Sequence, residues 1–435
     1  MRALIQLRPS SDLIAAVADP NVSVAASDVT GELPGFDLDQ SFNPLSLPGP
    51  AGAAQAVAAD SVVVRGEIAD AELDATLARL GRSAAVVGVF SDPRIENNLT
   101  CGGDQAVGTG GDVQKLLHSG DLGTAGMDGR AVALAIVDTG INVARVQEVR
   151  GGQVNIDAAR SWNPPGVTGT AGQFPVAHGS MCAYDVLLSA PQAVLLDIPV
   201  LQSKKQGGTQ MDGLLSDALA GFAHLRTVLT DQPEASRALV VSNSWGSFSP
   251  DWDFPVGQPG NYSDNPSHPF NVIVGSLESA GADILFAAGN CGRDCPDGRC
   301  AYKERPIGGA NSHPSVLSIG GVDTKGQRVG YSSQGPGRLA DRKPDICAYT
   351  HFLGSKVFGD TEPDTGTSAA CPVAAGLVAA IRTVYPASKV SPAQLRAVLQ
   401  RTAAAQPGGY DYDYGYGVLD AAAVLADLKN TDVRA

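Results

Sequence analysis

Ser368 stands at the junction between a short polar segment and a long apolar one. The polar segment is Asp-Thr-Gly-Thr at residues 364–367, and an alanine- and valine-rich run typical of a buried helix follows it. A hydroxyl here can simply cap the free N–H groups of a helix start. The same place suits a nucleophile, because a helix N-terminus stabilises negative charge that develops on an attacked carbonyl. Pro372 favours the nucleophile, since it removes the N–H that would bond the Ser368 carbonyl.

A serine nucleophile needs a histidine base and an acid that fixes the imidazole. Among the six histidines, His178 is the best candidate, because VAHGSMCAYDV places it at a predicted helix start beside Gly179, which allows close approach. Asp138 is the candidate acid, since it ends the apolar run AVALAIVD and ligands bind at the carboxyl ends of parallel strands. A turn formed by Asp138 with Thr139 and Gly140 is the structural alternative, and it is compatible with the catalytic one.

Asn290 ends another apolar run, ILFAAGN. Its side-chain amide can donate a hydrogen bond to a developing oxyanion, together with the backbone N–H of Ser368. An asparagine after glycine is also a common turn pair, so alone it indicates little. Combined with the other candidates, it predicts acyl transfer through a serine.

The order Asp138, His178, Asn290 and Ser368 resembles the subtilisin-like serine proteases. The resemblance rests on DTG, HGSMCA, SNSWGS, AAGN and GTSAACP, and on the C-terminal segments SPAQLRAVLQRTA and YGYGVLDAAAVL. It extends over about residues 120–428. It implies a serine endopeptidase with an Asp/His/Ser triad and an asparagine in the oxyanion hole, acting on protein or peptide substrates.

The same resemblance implies a substrate cleft. Ser244, Trp245 and Gly246 would line it and pair with the peptide backbone as an added strand. Ala288 and Gly289, just before the candidate oxyanion residue, are the other predicted substrate-binding residues. The side-chain preference at the scissile bond stays open.

The chain departs from the family pattern in three places. The loop that holds a tight calcium in many subtilisins is missing after His178, so we expect no required cofactor or metal, with calcium possible elsewhere. A long insertion at residues 247–271 is expected to shape or cover the cleft. Cys291, Cys295 and Cys300 are spaced closely enough for a metal or one disulfide, and free thiols or a local bridge are favoured because a fourth metal ligand is not evident.

Alternating apolar and helical segments predict an α/β domain at residues 98–435, a parallel sheet with helices on both faces. A representative helix is predicted at residues 211–229. The predicted strands are residues 131–137, 193–201, 238–242, 282–288 and 315–322.

Residues 1–97 predict a separate small α+β, ferredoxin-like unit, with strands in ALIQL, SVVVRGEI and SAAVVGVF and a helix in DAELDATLARL. This order resembles the inhibitory propeptides of subtilisins, and the glycine-rich residues 101–111 resemble a connector. The resemblance implies an intramolecular inhibitor that is removed by self-cleavage between Ser91 and Gly111. A permanent accessory domain is the alternative.

Composition limits the partners and the compartment. The 435 residues carry a formal charge of -14 and a pI near 4.8, which disfavours nucleic acid and anionic membrane surfaces. The N-terminus lacks the apolar stretch of a signal peptide, and the chain has no transmembrane run. With an odd count of seven cysteines, we expect a reducing, cytoplasmic setting, and secretion by another route is the alternative.

The sequence also allows three other functions. Asp-Thr-Gly occurs at Asp138 and again at Asp364, as in the carboxylate pair of aspartic proteases, but those enzymes are mostly β. A catalytically silent subtilisin-fold binding protein would keep the fold without the reaction. A peptide-bond transferase would use the same acyl-enzyme and exclude water from it.

Overall fold

The computed structural model describes residues 1–18, 33–48, 61–97, 99–101, 105–203 and 212–432. Residues 102–104 of the predicted connector and Met211 of the predicted helix lie outside these ranges. The described chain contains a five-stranded sheet, a seven-stranded sheet and a three-stranded sheet between them. None of its helices has the length and apolar content needed to cross a bilayer.

Within the described residues, the N-terminal unit is an antiparallel sheet with two helices, which confirms the predicted α+β region. Its strands run in the order β2-β4-β1-β5, and β3 also pairs with β4. Ile5, Val64 and Leu80 belong to its own apolar core. The strands are β1 Arg2–Leu7, β2 Phe36–Leu38, β3 Leu45–Leu47, β4 Ser61–Ile68 and β5 Val86–Ser91, and the helices are α1 Ser11–Ala18 and α2 Leu73–Leu80.

The large sheet is parallel throughout, in the order β15-β14-β13-β11-β7-β9-β8. All five apolar runs predicted as strands belong to it. Its strands are β7 Ala133–Val137, β8 Asn155–Ile156, β9 Val194–Ile198, β11 Leu239–Asn243, β13 Ala282–Ala287, β14 Leu317–Val322 and β15 Ile346–Tyr349.

Helices cover both faces of this sheet, as predicted. Successive side chains of a strand point to opposite faces, so Leu134 and Ile136 of β7 join one apolar cluster and Ala135 joins the other. The first face carries α6 His178–Val186 and α9 Thr367–Arg382, and the second carries α7 Leu215–Thr230 and α8 Pro269–Ser279. The remaining helices are α3 Gly110–Leu116, α4 Ser119–Thr124, α5 Val143–Arg150, α10 Pro392–Thr402 and α11 Ala421–Asp432.

The third sheet joins the two units. Its middle strand, β6 Arg94–Asn97, comes from the end of the N-terminal unit and lies antiparallel between β10 Asp212–Leu214 and β12 Trp245–Gly246. The helix predicted at residues 211–229 therefore begins later, at Leu215. Residues 212–214 are extended because their backbone pairs with β6.

Candidate active site

Asp138 and His178 meet at the carboxyl end of β7. The Nδ1 atom of His178 lies 2.8 Å from Oδ1 and 3.0 Å from Oδ2 of Asp138, and both side chains are buried. A carboxylate in this position holds the proton on Nδ1, so that Nε2 can accept one. The His178 Nε2 atom has no hydrogen-bond partner in the described part of the chain. The pair therefore has the geometry of a general base.

Gly179 lets the start of α6 lie close to the backbone of Gly140, the second residue after Asp138. A side chain at Gly179 would place its Cβ 2.5 Å from the Gly140 carbonyl oxygen, so the start of α6 requires glycine. The Gly179 N–H donates to Thr139 Oγ1 at 2.8 Å. The turn role considered for Thr139 and Gly140 thus coexists with the pairing of Asp138 and His178.

Ser368 is the second residue of α9, at the helix start that the sequence predicts. Its hydroxyl donates to the Ser244 carbonyl at 3.4 Å. Its own carbonyl, which Pro372 deprives of a helical partner, accepts from Ser244 Oγ at 3.0 Å and from Cys182 Sγ at 3.6 Å. Because Cys182 Sγ is also 3.9 Å from His178 Nδ1, one thiol contacts both the candidate base and the backbone of the candidate nucleophile.

Asn290 is fully buried, and its amide has a defined orientation. Its Oδ1 atom accepts from Thr367 N at 2.9 Å and from Thr367 Oγ1 at 3.1 Å. Its Nδ2 atom therefore points the other way, where it donates to the Leu99 carbonyl at 3.0 Å. Gly366 has φ +79°, and a Cβ there would come within 2.8 Å of Asn290 Nδ2. The Asn290 amide thus links the Leu99 carbonyl to Thr367, the residue before Ser368.

The predicted substrate-binding residues have different surroundings. Trp245 and Gly246 form β12 and pair with Asn97 and Glu96, while Ser244 is tied to Ser368 as described above. The Trp245 ring is buried and donates to the Val137 carbonyl at 3.0 Å, so Trp245 contributes only its backbone to the pairing with β6.

The predicted pair that precedes Asn290 is also buried. Ala288 follows β13 and is 2% exposed. The Gly289 N–H donates to Thr367 Oγ1 at 3.0 Å. Gly289 therefore helps to hold the start of α9 beside Asn290.

The model of the Subtilase family matches residues 129–417, which is more than half of the sequence. The chain belongs to the subtilase family. The match includes Asp138, His178, Asn290 and Ser368, so the family assignment confirms the resemblance found in the sequence.

Several known proteases are similar to this chain over part of their length. The human membrane-bound transcription factor site-1 protease is 32% identical over 165 residues, which cover 35% of this chain and 14% of that protein. A subtilisin-like protease of Arabidopsis thaliana is 30% identical over 182 residues, covering 38% of this chain and 16% of that protein. An extracellular protease of Xanthomonas campestris is 28% identical over 241 residues, covering 54% of this chain and 36% of that protein. The matches thus span well under half of these relatives.

A solved subtilase shares the fold. Fervidolysin from Fervidobacterium pennivorans, described as a keratinolytic enzyme related to subtilisin, superposes with a TM-score of 0.60 at 16% identity. The alignment covers 98% of this chain and 60% of fervidolysin, so it includes the N-terminal unit. At this identity the similarity supports the fold alone.

The N-terminal unit is anchored to the subtilase domain at the start of α7. Asp92 accepts from the Ser216 N–H and from Ser216 Oγ, both at 2.8 Å, and so caps this helix. Arg65 reaches the same place and donates to Asp217 Oδ1 at 2.8 Å. It also forms an ion pair with Asp39 of its own unit at 2.9 Å. These contacts were not evident in the sequence, because both partners of each pair look like ordinary surface residues there.

The insertion at residues 247–271 contacts the N-terminal unit beside the cleft. Ser91 donates to Asp253 Oδ1 at 2.5 Å, and the Ser91 N–H donates to the Gly260 carbonyl at 2.9 Å. The His268 ring lies 2.9 Å from the Ser91 carbonyl, and burial lowers its pKa to about 4. The insertion therefore forms one wall of the site where β5 leads into β6.

The cysteines after Asn290 are paired. Cys291 and Cys300 form a local disulfide, one of the two outcomes favoured from their spacing. Cys295 bonds Cys101, which is 194 residues away and follows the segment at Leu99. Their sulfurs are therefore engaged in covalent bonds and do not offer thiolates to a metal.

One group of metal-ligating side chains lies within the described residues. The ligand atoms of Asp138, His178 and Cys182 are all within 4.8 Å of one another and are buried. Burial raises the pKa of the Cys182 thiol well above its usual value, so this sulfur stays protonated. A protonated thiol is a poor metal ligand, and His178 Nδ1 is already bonded to Asp138, so the group suits proton transfer better than metal binding.

Proposed function

We propose that this subtilase is a serine endopeptidase that hydrolyses peptide bonds in proteins or peptides. The observation that carries the proposal is the convergence of three features at one point. The buried Asp138–His178 pair lies beside the start of α9, where Ser368 is found, and the Asn290 amide holds a peptide carbonyl in the adjoining cleft.

Each residue has a role in this proposal. The Ser368 Oγ attacks the substrate carbonyl carbon while its proton moves to His178 Nε2. Asn290 Nδ2 and the Ser368 N–H stabilise the oxyanion. His178 then gives the proton to the leaving amine, which breaks the C–N bond and leaves an acyl-enzyme. Water then attacks the acyl carbonyl carbon and gives a proton to His178 Nε2. His178 returns that proton to Ser368 Oγ as the ester bond breaks and the acid leaves, and Asp138 stabilises the imidazolium in both halves of the reaction.

We propose that the N-terminal unit is an intramolecular inhibitor of the zymogen. Its last strand, β6, occupies the place of a substrate strand between β10 and β12, and β-strand addition is a common mode of peptide binding. Because the Asn290 amide contacts the Leu99 carbonyl, we propose that self-cleavage occurs within one residue of Leu99. This lies inside the segment from Ser91 to Gly111 that the sequence suggests.

Two observations weigh on the alternative functions. The two Asp-Thr-Gly carboxylates do not meet, since Asp138 bonds His178 whereas Asp364 accepts from the Ser355 N–H at 2.6 Å, which argues against an aspartic protease. A buried His178 whose Nε2 has no hydrogen-bond partner among the described residues is a costly arrangement for a silent binding protein. A transferase would share every residue named above and differs only in the access of water.

The compartment and the metal requirement are also proposals. Disulfides persist in oxidising compartments, so the Cys101–Cys295 and Cys291–Cys300 bonds support the secreted alternative over the cytoplasmic expectation. We propose that the reaction needs no calcium or other cofactor, because the chemistry above is complete with protein groups.

A fluorophosphonate probe with mapping of the labelled residue tests the function. We expect labelling of Ser368, release of an N-terminal fragment ending within one residue of Leu99, and neither event in Ser368→Ala. The Ser267→Ala variant removes an exposed serine and serves as the matched control. An unlabelled Ser368 in a chain that has lost its N-terminal fragment would refute the proposed nucleophile.

A further inference from the structure

The cleft strand β6 presents two opposite charges on one face. Side chains alternate along a strand, so Arg94 and Glu96 share a face and Ile95 lies on the other. Ile95 is fully buried in the apolar cluster that includes Leu201 and Trp245. Arg94 and Glu96 form an ion pair with each other. The pattern in the cleft is therefore basic, aliphatic, acidic.

The subtilase domain supplies a cation for Glu96. Arg299 forms an ion pair with Glu96 and donates from Nη2 to the Asn97 carbonyl at 2.8 Å. Its guanidinium is held by Asp297 at 2.6 Å and lies 5.6 Å from the centre of the Phe248 ring. Arg299 is thus oriented by its own domain and directed at the occupant of the cleft.

The same domain supplies an anion for Arg94. The Nε atom of Arg94 lies 3.0 Å from Asp212 Oδ2, and its guanidinium lies over the Trp252 ring at 5.4 Å. Asp212 is in β10 and Trp252 is in the insertion, so the two cleft walls contribute together. Asp212 lies opposite Glu96 in the pairing of β10 with β6, and Arg94 forms ion pairs with both carboxylates, while Arg299 pairs with Glu96.

Burial of these ion pairs makes the cleft selective for the charges of its occupant. The side chains of Asp212 and Glu96 are 1% and 4% exposed. When β6 leaves, Asp212 loses Arg94, and Arg299 loses Glu96 but keeps Asp297, so an occupant with matching charges restores the lost ion pairs. An occupant with reversed charges would place like charges together in a desolvated site, which costs binding free energy.

We propose that Asp212 and Arg299 are specificity-determining residues, and that the cleft selects peptides with a basic residue at the Arg94 position and an acidic residue at the Glu96 position, separated by one aliphatic residue. This inference rests on the proposed function, because it names the substrate class of the same site. It does not depend on which residue flanks the scissile bond.

Internally quenched peptides test the preference on the self-processed wild-type enzyme. The reference peptide has the sequence of residues 92–100, and the swapped peptide exchanges its Arg and Glu, so composition and net charge are identical. Arg299 donates a charge-assisted hydrogen bond to Glu96, and such a bond is worth about 10- to 100-fold. Arg94 and Asp212 form an ion pair without a hydrogen bond from Arg94 Nε within the described residues. We expect kcat/KM of the swapped peptide to be lower by about 100-fold or more. Replacing either charged residue by glutamine should cost about tenfold.

Variants of the enzyme test the assignment to Arg299. In Arg299→Glu, a peptide with lysine at the Glu96 position should become the better substrate. Arg299→Gln is the second variant in case Arg299→Glu does not fold, and it should show no charge preference at that position. The matched control is Arg293→Glu, which makes the same charge change at an exposed residue of the same loop that pairs with Asp413 at 3.0 Å. It should keep the wild-type order of substrates.

The outcomes separate the two proposals. Casein hydrolysis that Ser368→Ala abolishes establishes the peptidase independently of the peptides. With casein hydrolysed, equal kcat/KM for the reference and swapped peptides, or no cleavage of either, would overturn the inference and leave the peptidase intact. No casein hydrolysis together with an unlabelled Ser368 would overturn both.

Discussion

Asp92 should make the docking of the N-terminal unit depend on pH. Burial raises its pKa to about 6 in the docked state, where both of its oxygens accept from Ser216. When the unit separates, the carboxyl group returns to water and its pKa returns towards the ordinary value of 3.8. The docked state therefore binds a proton more tightly than the separated state.

The sign and the magnitude follow from this difference. A raised acid pKa stabilises the docked state at low pH, and that stabilisation is lost as the pH rises through about 6. One pKa unit corresponds to about 1.36 kcal/mol. Between about pH 5 and about pH 8 the docking free energy should fall by about 1.4 kcal/mol, which is about tenfold in the equilibrium constant for opening.

Hydrogen exchange measures this opening in the intact, non-cleaving Ser368→Ala chain. The reporters are the N–H groups of Leu215, which donates to the Pro93 carbonyl at 3.1 Å, and Ser216, which donates to Asp92. Exchange rates corrected for their intrinsic pH dependence should show an opening constant about tenfold larger at about pH 8 than at about pH 5.

The test variant is Asp92→Asn in the same chain. Asparagine is also a good helix cap, so the contact is kept while the titration is removed. Asp217, whose pKa is also raised by burial, is present in both chains, and the difference between them isolates Asp92. Asp74→Asn, at an exposed position in α2, is the control. A slope that persists in Asp92→Asn, or docking that strengthens as the pH rises, would refute the reasoning.

Three further predictions concern the active site. Asn290→Ala should lower kcat by about 10²- to 10³-fold, a cost known for this type of amide from subtilisin itself, and an unchanged kcat would exclude the oxyanion role. Activity of the processed enzyme should survive EDTA, whereas a loss that added calcium reverses would reveal a required site. Ser244→Ala should lower the free energy of unfolding by about 1 kcal/mol in urea titrations, because the Ser368 carbonyl loses its hydroxyl donor, and an unchanged midpoint would contradict that contact.

The fold could be predicted, as could the strand ends and helix starts where the four candidate residues lie, because their signals are local. Apolar runs identify the buried strands, and Asp138 and Asn290 each follow one of them directly. Gly179 is required by a backbone approach that only a residue without Cβ allows. Such constraints act within a few residues of the chain, so the sequence displays them.

Other features depend on tertiary contacts and could not be predicted. The Cys101–Cys295 bond joins residues 194 apart, and neither sequence segment specifies its partner. His268 is buried because the insertion folds back against Ser91, and no pattern near His268 in the sequence indicates that contact. Arg299 looks like a solvated loop charge until β6 brings Glu96 to it.

Cleavage near Leu99 would not by itself free the cleft under the proposed mechanism. Asp92 caps α7 and residues 94–97 fill the cleft, so one continuous segment on the N-terminal side of the cut holds both contacts. On the other side, the Cys101–Cys295 bond keeps the new terminus near Asn290. Activation would therefore require a second step in which Arg65, Asp92 and β6 leave together. The buried Asp92 carboxyl makes that step easier as the pH rises, so the pH would control release of the inhibitor independently of the chemistry at Ser368.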